Sequence, residues 1–160
     1  MRKLMLLALC LVAVPALALS PQNAVQGQAV VSNVIDGDTY DLTIMDFDTF
    51  ERIAEVAPAK ASEHLNRRAK IMRVRLNGVD TAEMDTPQGR QAKRRVSQWI
   101  AGEQVGFRCF DFGHYGRVIC HISDDGRDLG QRIIINGLSD YIDQYGNDPF
   151  LHSEYTQAEQ

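Results

Sequence analysis

Two strand-like runs separated by only three residues set the first constraint on this chain. Residues 28–35 are valine-rich and alternating, residues 39–45 form a second such run, and Asp36-Gly37-Asp38 between them reads as a tight turn. Residues 71–79 resume strand character, and a period of two puts Arg73 and Arg75 on one face with Val74 and Leu76 on the other. Residues 104–110 and 117–123 are two further runs, joined by the turn-rich Asp111-Phe112-Gly113-His114-Tyr115-Gly116.

Helical signals fall between and after these strands. Thr86 is placed to cap a helix that has Pro87 at its first position and Gly102 just past its end. Ala92, Val96, Trp99 and Ile100 form its apolar stripe, so Trp99 is expected in the core. Leu129, Ile133, Ile134 and Leu138, with Gly137 near the C-terminal end, predict a second short helix, and residues 149–160 a third that stops early. Residues 46–70 break the strand pattern: Phe50, Ile53, Ala54, Ala57, Ala61 and Leu65 recur at helical spacing around Pro58, so one or two short helices are expected as an insertion. The resulting order fits an α+β, mainly β fold: a five-stranded OB-type barrel with two to three helices around it.

A length of 160 residues allows one domain and one active site. Residues 1–18 read as a signal peptide: Arg2 and Lys3 are basic, 4–14 are apolar, and Ala16-Leu17-Ala18 predicts cleavage after Ala18. The apolar run is short for a membrane span. The expectation is therefore a soluble protein, secreted or periplasmic, with a polar leader at 19–30 and the folded domain at 31–160. Cys10 leaves with the signal. Cys109 and Cys120 remain, one on each of the last two strand runs, and in an oxidising destination a bridge across them is the natural reading; two half-buried free thiols are the alternative.

The net charge of −4 becomes two units more negative once Arg2 and Lys3 are lost, which runs against the basic character usual in nucleic-acid binders. Basic residues are nevertheless concentrated, in Arg67, Arg68, Lys70, Arg73 and Arg75 and again in Arg90, Lys93, Arg94 and Arg95, where local fields can attract phosphate. Carboxylates cluster twice: Asp36 and Asp38 around Gly37, then Asp80 and Glu83 at the end of the arginine-bearing strand. Oxygen ligands from two strand ends suit a hard divalent cation. The spacing does not match an EF-hand, and the His and Cys groupings of zinc sites are absent. A carboxylate pair for metal, a glutamate free to take a proton, and two guanidiniums, Arg75 and Arg117, are the parts that metal-assisted phosphodiester hydrolysis needs.

Val34-Ile35-Asp36-Gly37-Asp38-Thr39, then the ten residues from Val74 to Glu83, then His114-Tyr115-Gly116-Arg117 resemble, in order, the three signature segments of the staphylococcal nuclease family. The resemblance implies that Asp38 and Asp80 bind calcium through their side chains and Thr81 through its carbonyl, with Asp36 behind them. It implies that Glu83 activates water, that Arg75 and Arg117 stabilise the pentacovalent phosphorus, and that Tyr115 lies near the substrate phosphate. The implied activity is calcium-dependent cleavage of DNA and/or RNA to 3′-phosphate ends, by a monomer. Ala82 departs from the family's proline, the loop after Glu83 is shorter, Asp143 stands where a tyrosine is expected, and the final helix is truncated. Two other readings remain beside the enzyme: a non-catalytic binding domain of the same fold, and an accessory protein of envelope or exopolysaccharide production. The insertion at 46–70 is open between covering the cleft, contacting a second copy and decorating the barrel.

Overall fold

The computed structural model describes residues 17–160. The basic start, the apolar run and Cys10 of the expected signal lie outside the described residues. After a short 3-10 turn at Pro21–Asn23, the elements in chain order are β1 (Val25–Val34), β2 (Thr39–Ile44), α1 (Phe47–Ala54), a 3-10 helix at Ala59–His64, β3 (Leu65–Asn66), β4 (Ile71–Leu76), α2 (Pro87–Ile100), β5 (Gln104–Phe112), β6 (Val118–Asp124), β7 (Arg127–Asp128), α3 (Leu129–Ile135) and α4 (His152–Ala158).

Five strands close into a ring. β4 pairs antiparallel with β2, β2 with β1, β1 with β5 and β5 with β6; β6 then returns to pair in parallel with β4. Closure leaves no long unpaired edge among the described residues. β6 reaches only Val74–Leu76 of β4, and β3 pairs with the Ile71 and Met72 that β6 leaves uncovered.

β1 begins at Val25, inside the stretch read as leader and ahead of the expected start at residue 28. Gly27 disguised it by interrupting the apolar pattern. β5 nevertheless pairs with β1 from Val25 to Val30, and a Cβ at position 27 would lie 2.9 Å from the Phe107 ring. At the other boundary, β4 stops at Leu76 and not at residue 79, because Gly78 turns the chain with a φ of +76°.

The ring interior holds Tyr40, Leu42, Met72, Val74, Leu76, Val118 and Ile122, all buried. Each such aliphatic side chain contributes about 1.5–3 kcal/mol on leaving water. Thr86 caps α2 as expected, accepting from Gly89 N, and Ala92, Val96 and Ile100 are its buried stripe. Trp99 departs from expectation: it is only partly buried, and the Arg132 guanidinium sits 4.1 Å from its ring centroid. Cys109 and Cys120 occupy directly opposite positions of β5 and β6 and are joined by a disulfide, both sulfurs within the core. No helix among the described residues is long and apolar enough to cross a membrane.

Candidate active site

Three stretches of chain meet at one end of β4: the turn between β1 and β2, the loop after β4, and the turn before β6. Asp36, Asp38, Arg75, Asp80, Thr81, Glu83 and Arg117 line a single cleft of about 160 Å³ between them.

The first turn is built from its own residues. Tyr40 is fully buried and its hydroxyl donates to Gly37 O at 2.5 Å. Burial, with the charges of Asp38 and Asp36 beside it, pushes the phenol pKa well up, so it stays a donor. Asp36 Oδ1 accepts from Asp38 N at 3.0 Å. A Cβ on Gly37 would come within 2.5 Å of Thr81 Oγ1, so the missing side chain is what lets this turn lie against the 80–83 loop.

Asp38 is the centre of the arrangement. It is buried, and its Oδ2 accepts from Thr81 N at 2.7 Å and Thr81 Oγ1 at 3.0 Å. Burial raises its pKa; the Arg75 charge and the Thr81 N–H pull the other way without cancelling it. Arg75 stands opposite Thr39 in the β2–β4 register and spans both acidic groups, Nη1 lying 2.5 Å from Asp38 Oδ1 and Nη2 donating to Asp80 Oδ1 at 2.7 Å. Nη1 is buried and ion-paired with Asp38 Oδ1 without being aligned for a hydrogen bond.

Arg117 joins the cluster through Thr39. Its Nη1 donates to Thr39 Oγ1 at 3.1 Å, and that hydroxyl donates to Asp38 Oδ1 at 3.2 Å. Glu83 is exposed and its carboxylate has no partner among the described residues, while its backbone is fixed. Glu83 O accepts from Thr86 N at 3.0 Å and Thr86 Oγ1 at 2.7 Å, and a Cβ on Gly89 would fall 2.1 Å from the same oxygen. The start of α2 thus packs directly on the Glu83 backbone and offsets the short loop. Tyr115 is the candidate not brought into the cleft: it is 72% exposed, with its ring edge-on to His114.

Among the described residues no group of three or more His, Cys, Asp or Glu side chains converges as a metal cage. The chemistry of the donors still fits a hard divalent cation. Asp38, Asp80 and the Thr81 carbonyl offer only oxygen, and both carboxylates already turn toward one positive group, Arg75.

A family model described as "Staphylococcal nuclease homologue" matches residues 73–160. The chain belongs to the staphylococcal nuclease homologues. Among relatives in this family, a "Probable staphylococcal-like nuclease CAN1" of Oryza sativa subsp. japonica is 29% identical over 105 residues, covering 66% of this chain and 31% of that protein. An "Uncharacterized endonuclease" of Escherichia coli is 27% identical over 114 residues, covering 71% of this chain and 74% of that one. The chain therefore spans less than a third of the rice protein. The nuclease-homologue match begins at Arg73, so Asp36, Asp38 and Thr39 lie ahead of it, yet they bond directly to Thr81, Arg75 and Arg117 within it.

Three contributors escaped the sequence reading. Thr39 carries the link between Arg117 and Asp38, and Thr86 with Gly89 holds the Glu83 backbone. Thr86 was legible only as a helix cap. Nothing in the sequence marks the second bond its hydroxyl makes.

Proposed function

We propose that the protein is an exported, calcium-dependent nuclease that hydrolyses phosphodiester bonds of DNA or RNA, leaving 3′-phosphate ends and acting as a monomer. The observation carrying this reading is that two acidic groups from separate stretches, an unpartnered glutamate and two guanidiniums share one cleft. Membership of the nuclease family supports it from another direction. Export is supported by the basic and apolar start of the sequence and by a disulfide suited to an oxidising compartment.

Asp38, Asp80 and the Thr81 carbonyl would hold the calcium ion, which when bound would offset negative charge on the phosphate. Glu83, free of other bonds, orients a water and accepts its proton as the oxygen attacks phosphorus. Arg75 and Arg117 donate hydrogen bonds to the equatorial oxygens as negative charge accumulates there, and Arg75 exchanges carboxylate partners for phosphate. The P–O5′ bond breaks with its electron pair on the 5′ oxygen, which takes a proton from solvent water while Glu83 returns its own proton to solvent, so the products are a 5′-hydroxyl and a 3′-phosphate.

End-group analysis tests this. A short oligonucleotide incubated with protein and calcium should yield fragments that carry a 3′-phosphate and accept label directly at the 5′ end. Fragments with 5′-phosphates would overturn the assigned chemistry. Binding without cleavage would favour a non-catalytic domain of the same fold.

A further inference from the structure

None of the residues lining the cleft comes from the insertion. It meets the molecule at one functional place: the 3-10 helix at Ala59–His64 lies against the His114-Tyr115-Gly116 turn that leads into Arg117. Lys60 Nζ donates to His114 O at 2.7 Å, and His64 Nε2 lies 3.0 Å from Tyr115 O. A carbonyl oxygen only accepts, so Nε2 carries the proton in this contact. His64 Nδ1 is buried without a partner among the described residues, which leaves the bond to Tyr115 O as the side chain's one polar tie. The third contact is steric. Gly116 has a φ of +84°, and a Cβ there would fall 2.4 Å from Lys60 O, so the backbone of the insertion presses directly on the turn.

The pressing element is itself anchored. Phe50, Ile53 and Ala61 are fully buried, Arg67 forms an ion pair with Glu51, and β3 adds the segment to β4. On the other side, the turn is closed by Gly116 N to Gly113 O at 2.9 Å and by Gly113 N to Arg117 O at 2.8 Å. Displacement of the turn therefore moves the Arg117 backbone. Two consecutive carbonyls are gripped from outside, immediately before a guanidinium that reaches the cleft through a single 3.1 Å bond to Thr39.

We infer that Lys60 and His64 are positioning residues: the insertion is a brace that holds the turn so that the Arg117 guanidinium stays aimed into the cleft. The inference rests on the nuclease reading for its effect on turnover, and on nothing but the fold for its effect on the turn.

The test compares wild type, the Lys60→Met/His64→Leu double variant and the donor-preserving Lys60→Arg and His64→Gln. Two quantities are read: hydrogen exchange over residues 114–117, and kcat and KM on a DNA substrate with calcium. In the double variant, exchange at the turn should quicken at least about tenfold. Its kcat should fall about 10–100-fold with KM within about twofold of wild type, because the misplaced group acts on the transition state. Each conservative variant should stay within about threefold of wild type in both. Unchanged exchange in the double variant overturns the brace. Faster exchange with unchanged kcat overturns the coupling to Arg117. A wild type that cuts no nucleic acid refutes the nuclease reading alone, and the exchange data then decide the brace. Should the double variant not fold, His64→Leu alone is judged by the same two criteria.

Discussion

Asp38 Oδ2 accepts from both the backbone N–H and the hydroxyl of Thr81, 43 positions further along the chain, at 2.7 and 3.0 Å. That pair of bonds ties the turn between β1 and β2 to the loop after β4. The same two stretches are also joined by Leu76 N to Asp38 O at 2.9 Å and by the pairing of Thr39 with Arg75. Arg75 then spans Asp38 and Asp80, and Thr39 brings in Arg117.

The two arginines are expected to act on the transition state. Arg75→Ala or Arg117→Ala should lower turnover by about 10²–10³-fold with a smaller change in KM. Steady-state kinetics on a DNA substrate checks this, and near-normal turnover in either variant removes that residue from the mechanism. Arg75→Ala also leaves buried Asp38 without its cation, so its thermal midpoint in calcium-free buffer should fall further than that of Arg117→Ala.

Cys109 and Cys120 close a loop across β5 and β6 in the core. The Cys109→Ser/Cys120→Ser variant should lose about 2–4 kcal/mol of unfolding free energy. Denaturant titration measures the loss. Two reactive thiols in unreduced, denatured wild type would contradict the bridge.

Acid stability should depend on Asp148. Its carboxylate is buried, which alone raises the pKa. His121 Nε2 at 2.7 Å, Asn77 Nδ2 at 2.6 Å and the Phe150 N–H more than offset that and bring it down to about 2 from the ordinary 3.8. A carboxyl depressed in the folded state stabilises above its unfolded pKa and loses that contribution as pH falls through the folded value. About 2 kcal/mol should therefore disappear between pH 3.8 and about 2. Asp148→Asn should be destabilised against wild type at pH 6, and the gap should narrow toward pH 2 in urea titrations.

The short final helix has one buried residue. Tyr155 is fully buried, its hydroxyl donates to Asp128 Oδ1 at 2.8 Å, and its ring fills a socket so tight that a Cβ on Gly130 would fall 2.3 Å from its oxygen. Tyr155→Ala should cost about 3–5 kcal/mol, and Tyr155→Phe about 1–2 kcal/mol for the lost bond to a carboxylate. Equal stability of the two variants by thermal unfolding would show that the anchor is polar and not steric.

Much of this molecule could be read from local pattern. The alternation around Arg73 and Arg75 fixed both the strand and the side on which the arginines leave it, and Thr86 with Pro87 fixed the start of α2. What stayed hidden depends on contacts between distant segments. The parallel pairing of β4 with β6 closes the ring, yet parallel neighbours leave no turn signature. The two-residue β3 is too short for periodicity to register, and it is a strand only because β4 offers an edge there. At the site, what the sequence offered was two acidic stretches and two arginines, Arg75 and Arg117, and the fold brings these residues to one cleft. The supports do not announce themselves. Thr39, Lys60 and His64 are ordinary polar residues whose roles come from what the fold sets beside them.

The most direct test is cleavage of plasmid DNA and single-stranded RNA by the purified protein, with calcium and after exhaustive EGTA treatment. The account predicts cleavage with calcium, a fall of at least about 100-fold in EGTA, and recovery when calcium is restored. Full activity in EGTA, equal in wild type and Asp38→Ala, would contradict it.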